Sequence, residues 1–396
     1  MADQKTIVIL GGGTGGLVAA NELKKRAGEK ARIILIDKNQ HHIYAPSFLW
    51  LMLGKRQAEK IQKPLSLLRR KGIEFINEEI IKIDPENKLV KTQNQNLQYD
   101  YLIVSLGAEL APEKISGLAQ SGYNLYKLQD VERLRDDLKN FPVPLDMKLS
   151  NGIKRKVAIV ISSLPFKCPA APYEAAFLLI ERFQERGIGG KTEINIYTPE
   201  TLPLPAAGPD IGKAVAEMLA ERKIGFNPEA KLVSVNPEKR ELQFENGKTA
   251  NFDLLIFIPP HQGPKVVRDS GLGNETGWIP VDKNTLKTKY DTVFAVGDVI
   301  ATTVASGKPR PKAGVFAHYE AEVVAENIAR ELQGLPSDKK YDGRASCFLE
   351  TGFGKAGIAF GNFYSEPAPA IIMKRPGRIW HWSKILFEKY WLWKWF

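Results

Sequence analysis

The first 110 residues and the stretch from about 155 to 260 follow one plan, and this repetition limits the chain more than any other feature. Each half opens on an apolar strand, residues 5–10 in the first and 156–161 in the second, followed by a small-residue turn and a helix. A second strand follows, at 32–37 and at 193–198. Each half then carries a strand, turn, strand, turn, strand run. In the first it leads from Ile80-Ile-Lys-Ile-Asp-Pro-Glu-Asn87 to 99–105, and in the second from Leu232-Val-Ser-Val-Asn-Pro-Glu-Lys239 to 252–257. Asp-Pro-Glu-Asn, Asn-Pro-Glu-Lys and Asn246-Gly247 are turn chemistry, so a three-stranded antiparallel insert is expected within each βαβ unit. Strands alternating with helices predict parallel sheets, and the whole reads as a duplicated, three-layer, Rossmann-like α/β fold. Beyond residue 285 the chain reads as a return to the first unit, through the buried strand 292–296 and a helix from 314 to 332. The expected domains are therefore 1–112 with 285–335, then 113–284, then a C-terminal region over 336–396.

The two halves differ at their first turn. Gly11-Gly12-Gly13-Thr14-Gly15-Gly16 ends a strand and opens a helix, and Asp37 stands at the end of the next strand. In that context the glycines mark a dinucleotide site. Gly11 permits the tight turn, Gly13 lets the backbone approach a pyrophosphate, and Gly16 admits close helix packing, while Asp37 can accept from a ribose hydroxyl. The matching turn of the second half reads Ser162-Ser-Leu-Pro-Phe-Lys-Cys-Pro169, with Thr198 where the acid should stand. Its prolines and large side chains oppose backbone approach to a second dinucleotide, so a nicotinamide coenzyme is not expected there. A cysteine occupies the place instead.

Only two cysteines, Cys168 and Cys347, and five scattered histidines occur, outside any zinc spacing, so no metal is expected. No window approaches a spanning apolar helix, and no export signal is expected at the N-terminus. The net charge of +11 favours anionic partners such as lipid headgroups, nucleic acid or a small anion, although Lys and Glu spread along the chain read equally as a solvated surface.

With these motifs in place, the chain resembles the flavin disulfide reductase superfamily over nearly its whole length. Within it the chain looks like the sulfide:quinone oxidoreductases and flavocytochrome c sulfide dehydrogenase. The resemblance rests on the GGGTGG run, on Ser105-Leu106-Gly107 at a strand end, on Pro165-Phe-Lys-Cys-Pro-Ala-Ala-Pro-Tyr-Glu174, on Gly297-Asp298, on Pro311-Lys-Ala-Gly-Val-Phe-Ala-His318, and on the Cys347 segment. It implies FAD as cofactor, bound by the domain of 1–112 and 285–335. Gly11, Gly13, Gly16 and Asp37 would hold its ADP half, Asp298 its ribityl chain, and Lys312 with the helix from Gly314 its pyrimidine ring. Thr14, Lys38, Ile80, Ser105, Gly107 and Gly297 complete the expected cofactor contacts.

The implied chemistry is oxidation of sulfide to polysulfide or sulfur through Cys168 and Cys347, with Glu174 as proton acceptor and electrons passed to a membrane quinone. Cys168, beside Lys167 and at a helix start, is expected to favour its thiolate. Phe348, Phe353 and Phe387 are the candidate quinone contacts by position. Members of the family often carry a third cysteine, where this chain offers only Tyr123, so no thioether to FAD is expected through such a residue. A sulfide dehydrogenase with a cytochrome acceptor and a type II NADH:quinone oxidoreductase are the alternative readings.

The tail from 374 to 396 holds five of the seven tryptophans. Ile379, Trp382, Leu386, Tyr390 and Trp393 fall on one helical face, with Lys384, Glu388 and Lys394 elsewhere. Such a C-terminal amphipathic region suits the headgroup boundary of one leaflet and predicts a peripheral, monotopic membrane location. The expected partners are thus hydrosulfide, quinone and a lipid surface, with no nucleic acid and with a homo-oligomer left open.

Overall fold

The computed structural model describes residues 4–141 and 154–396; the first three residues, on which the export reading partly rests, and 142–153 of the second expected domain lie outside them. Two five-stranded parallel sheets organise the chain. The first runs Val293–Ala295, Tyr101–Val104, Lys5–Leu10, Ala31–Ile36, Glu74–Ile76. The second runs Tyr123–Asn124, Leu254–Ile258, Arg155–Ile161, Thr192–Tyr197, Gly225–Asn227. The strand orders correspond, as a duplicated plan requires. The outer strand beside Tyr101–Val104 comes from residues 293–295, so the late chain does return to the first sheet.

These strands are near-continuous apolar runs because both faces are covered. In the second sheet Val157, Ile159 and Ile161 face a cluster that includes Phe177 and Leu178 of the helix Ala171–Glu185. Ala158 and Val160 face the opposite cluster, with Leu232, Leu242 and Phe244 of the three-stranded insert. The first sheet is covered likewise by its own insert, Ile80–Asp84, Leu89–Thr92 and Asn96–Gln98, and by the helices Thr14–Ala27 and Gly314–Glu331. Helix, parallel sheet and antiparallel sheet make three layers in each half.

The C-terminal region is not the set of interfacial helices the sequence suggested. It begins as an antiparallel sheet of Arg344–Gly352, Lys355–Asn362 and Ala370–Gly377, and only then forms a single helix, Arg378–Lys394. Alternation along 370–377 is weak, and the glycine and proline content between 351 and 377 hid the strands. Among the described residues no helix is long and apolar enough to cross a membrane.

The last helix carries its polarity inverted relative to a water-soluble surface helix. Ile379, Trp382, Leu386, Tyr390 and Trp393 are between 47% and 74% exposed. Lys384 and Glu388 are buried, paired with Glu174 at 2.8 Å and Arg56 at 2.7 Å. Lys384 and Glu388 face the protein, while Trp382, Tyr390 and Trp393 face outward.

Candidate active site

The strand end at Leu10 turns on Gly11, whose φ of +98° is open to glycine, and a Cβ there would stand 2.5 Å from the Ser105 carbonyl oxygen. A Cβ on Gly16 would meet the Gly11 carbonyl at 1.9 Å. At Gly13 a Cβ would meet nothing within 4 Å. Two glycines are thus needed by the protein's own packing, whereas the third faces open space at the N-terminus of the helix Thr14–Ala27, where backbone N–H groups favour an anion. The Ser105 hydroxyl braces the turn by donating to the carbonyls of Leu10 and Gly11.

Asp37 Oδ2 accepts from Gly12 N at 2.6 Å, and its Oδ1 accepts from Asn39 N and Nδ2. Its carboxylate is therefore fixed at the loop edge, with lone pairs remaining for a ribose. On the other side of the loop His42 Nδ1 lies 2.9 Å from the Gly12 carbonyl, and His42 Nε2 lies 3.1 Å from Trp391 Nε1. Indole N–H can only donate, so Nε2 accepts, Nδ1 donates, and the ring is neutral. Burial lowers its basicity in keeping with that. His42 was not singled out by the sequence, and Trp391 was noted only as one of the tail tryptophans.

A cavity of about 1630 Å³ extends from this loop across to Cys168 and Cys347. Its volume exceeds that of an ordinary single-ligand cleft of roughly 300–1,000 Å³. Of the expected cofactor contacts, Gly11, Gly13, Thr14, Asp37, Lys38, Ile80, Ser105, Gly107, Gly297, Asp298, Lys312 and Gly314 line it, whereas Gly16 packs behind the turn against the Gly11 carbonyl. Asp298 has one carboxylate oxygen buried without a protein partner, as a cradle awaiting a hydroxyl donor requires. Lys312 also makes bonds within the protein. Its ammonium lies 2.6 Å from the Asp298 carbonyl and 3.2 Å from that of Ile300, against the Trp278 ring, and burial brings it down to about 7.

The second-half turn is stitched to this segment. Cys168 N donates to the Lys312 carbonyl at 2.6 Å, while the Cys168 carbonyl accepts from Ala171 N and the Tyr126 hydroxyl. Cys168 itself holds a left-handed φ of +49°. Cys347 reaches the same cavity from the strand Arg344–Gly352. Cys168 is half-buried and Cys347 exposed by surface area, yet both are free thiols set deep in the cavity wall, and depth governs their titration. Burial, with Glu174 next, pushes each up to about 12. The expected thiolate preference of Cys168 is thereby overturned: desolvation and the Glu174 charge outweigh its place before a helix, because burial disfavours the charged form.

Glu174 lines the cavity, and its Oε1 accepts from Glu350 N and Lys384 Nζ, both at 2.8 Å. Phe348 and Phe387 line the cavity as expected. Phe353 does not; it occupies the tight turn between two strands at φ +56°, 44% exposed. Its aromatic type misled, since Phe353-Gly354 is hairpin chemistry with both residues at positive φ. In the second half Thr198 turns its hydroxyl inward to Glu200, which the Tyr173 hydroxyl also meets, and burial lifts Glu200 to about 7. Leu164 and Pro165, at the corresponding turn of the second half, line the same cavity. No group of three metal-ligating side chains stands together among the described residues.

Two nucleotide-binding folds that meet at a glycine-loop cavity lined by both thiols define a flavin-dependent oxidoreductase. The chain matches the family model described as pyridine nucleotide-disulphide oxidoreductase over residues 5–321. It belongs to that family and, within it, to the sulfide:quinone oxidoreductases, with FAD as cofactor. It is 30% identical to the sulfide-quinone reductase of Aquifex aeolicus over 98% of this chain and 91% of that relative. The crystal structure of the sulfide:quinone oxidoreductase from the same bacterium superposes with a TM-score of 0.86 at 28% identity, covering 99% of this chain and 91% of that one. The type II NADH:quinone oxidoreductase of Staphylococcus haemolyticus is also related, at 25% identity over 94% of each chain.

Proposed function

We propose that the protein oxidises hydrosulfide at Cys168 and Cys347 and delivers the electrons to a quinone that enters from a lipid surface. The observation that carries this reading is that both cysteines and the glycine-loop cradle share one cavity, although they come from three separate parts of the chain. FAD, when bound by Gly11, Gly13, Asp37 and Asp298, supplies the capacity to take two electrons from sulfur and release them to an acceptor.

The protein's own groups set the rest. The cysteines enter the step joined as a disulfide, so the attacking sulfur is the incoming hydrosulfide anion. Hydrosulfide attacks a Cys168–Cys347 disulfide; the S–S bond breaks, a new S–S bond forms, and the products are one persulfide and one thiolate. Glu174, 2.8 Å from Lys384, is placed to take the persulfide proton. Phe348 and Phe387 offer apolar walls for a quinone ring. The outward aromatics of the last helix, with Arg375, Arg378 and Lys389 beside them, suit insertion into one leaflet. The side chains of Leu164 and Pro165 in the second fold oppose an NADH donor.

The test is anaerobic addition of each donor to the yellow holoenzyme. Sulfide is expected to bleach the flavin absorbance rapidly and NADH to leave it; bleaching by micromolar NADH with none by sulfide would overturn the reading.

A further inference from the structure

Beneath the last helix lies a buried ionic cluster larger than anchorage requires. Lys384 meets Glu174 at 2.8 Å and Glu350 at 3.9 Å, and Glu350 meets His381 Nδ1 at 3.0 Å. All three ionic groups are nearly inaccessible, whereas the His381 side chain is 20% exposed and neighbours the outward Trp382. Trp50, itself buried, lies against His381, Lys384 and Arg56. The other charges packed around the cluster are closed on themselves, Lys55 on Glu181 and Arg56 on Glu388. Among the described residues the further titratable groups facing it are Tyr44 and Tyr126, beside Glu174, and the cavity thiols Cys168 and Cys347.

Holding the helix to the core needs one ammonium and one carboxylate. Here two carboxylates share one ammonium, so one carboxylate is left without a fixed cation of its own and faces the His381 imidazole. Burial raises Glu350 above the ordinary carboxylate range, and the two carboxylates outweigh burial to keep Lys384 charged. The arrangement is one that takes up and passes on a single proton. Its inner end, Glu174 with Lys384, lines the cavity, and its outer end meets solvent.

We propose that His381 and Glu350 form the proton inlet of the cavity, relaying solvent protons to the Lys384–Glu174 pair during quinone reduction. The inference rests on the sulfide and quinone reading above, and the chemistry requires such a path. Oxidation of hydrosulfide to the level of sulfur releases two electrons and one proton. Reduction of a quinone to quinol consumes two electrons and two protons. One proton per turnover must therefore come from solvent into a site walled by protein. The 3.9 Å gap between Glu350 and Lys384 is within reach of the rotatable lysine stem. His381 and Glu350 are relay residues rather than groups that touch the reactants.

The test separates the half-reactions. The holoenzyme is reduced with dithionite, mixed with decylubiquinone from pH 6 to 9, and its reoxidation followed in stopped flow; sulfide bleaching is recorded separately. His381→Gln and Glu350→Gln are expected to slow reoxidation at least about tenfold at the alkaline end, the size expected when a proton-transfer group is lost, with sulfide bleaching little changed. In His381→Ala, added imidazole is expected to restore reoxidation, which loss of a purely structural contact would not allow. Reoxidation of the variants at the wild-type rate across the pH range overturns the inlet alone, as does a slow His381→Ala that imidazole leaves unchanged. Wild-type enzyme that sulfide bleaches but quinone does not reoxidise overturns the acceptor assignment and the inlet with it.

Discussion

Trp391 and His42 join the last helix to the cofactor loop: the indole N–H donates to Nε2 across 3.1 Å, and the far side of the imidazole donates to the Gly12 carbonyl. A helix read from sequence as a membrane device is thereby also a brace for the glycine turn. Trp391→Phe keeps the ring and removes the donor, leaving a buried Nε2 without a partner at a cost of about 1–3 kcal/mol. A lower melting temperature and faster FAD loss on dilution are expected, both measurable by flavin fluorescence.

His42 also sets a pH dependence. Its basicity is lowered in the folded protein, so the unfolded chain binds the extra proton first, and stability rises with pH in that window. The contribution is complete above about 6.5, the ordinary imidazole value, and is progressively lost as pH falls below it. Wild type is expected to lose melting temperature more steeply than His42→Gln between about pH 6.5 and 5. Parallel curves for the two proteins would remove His42 from the account.

The cysteine cycle makes a sharp demand on its two members. Cys168→Ser and Cys347→Ser are each expected to retain FAD and to lose nearly all sulfide-dependent quinone reduction, since neither thiol completes the bridge alone. Turnover of either variant near the wild-type rate is the result that would count against the cycle.

The glycines of the loop separate packing from binding. Gly16→Ala forces a Cβ to within 1.9 Å of the Gly11 carbonyl and should impair folding itself. Gly13→Ala has free space in the protein and should leave thermal stability of the apoprotein close to wild type while weakening FAD retention. Titration of apoprotein with FAD distinguishes the two.

Membrane attachment is best probed on the outward face of the last helix. Deleting that helix would strand Glu174 and Arg56 without Lys384 and Glu388, confounding lipid contact with a broken core. Trp382→Glu with Trp393→Glu changes exposed positions only. The double variant is expected to keep its melting temperature and its bleaching by sulfide, and to stop co-sedimenting with liposomes. Continued sedimentation at high salt would place the anchor elsewhere.

Repetition, the glycine loop and the cysteine turn were legible in sequence because each is a local pattern: a period, a spacing, a substitution within a motif. The C-terminal sheet was not, since its strands lack clear alternation and run through glycines. Lys384 and Glu388 were read as lying off the apolar face of the last helix, which is correct; that this polar side is the buried one depends on Glu174 and Arg56, 210 and 332 residues away. Phe353 failed as a site residue for the opposite reason, because a turn dictated locally by Phe353-Gly354 overrode its aromatic character. The thiol of Cys168 escaped correct reading because depth and the neighbouring carboxylate are tertiary facts.

The hydrogen bond from Cys168 N to the Lys312 carbonyl has a dynamic corollary. It ties the reactive turn of one repeat to the segment entering the Gly314 helix of the other, and Lys167 and Lys312 extend the tie as a backbone bridge. Opening the two halves like a clamshell would tear this seam at the backbone of Cys168 itself. Turnover is therefore expected without separation of the two halves, so added viscogen should slow it no more than it slows diffusion of the small reactants, unlike the case of lid-closing enzymes.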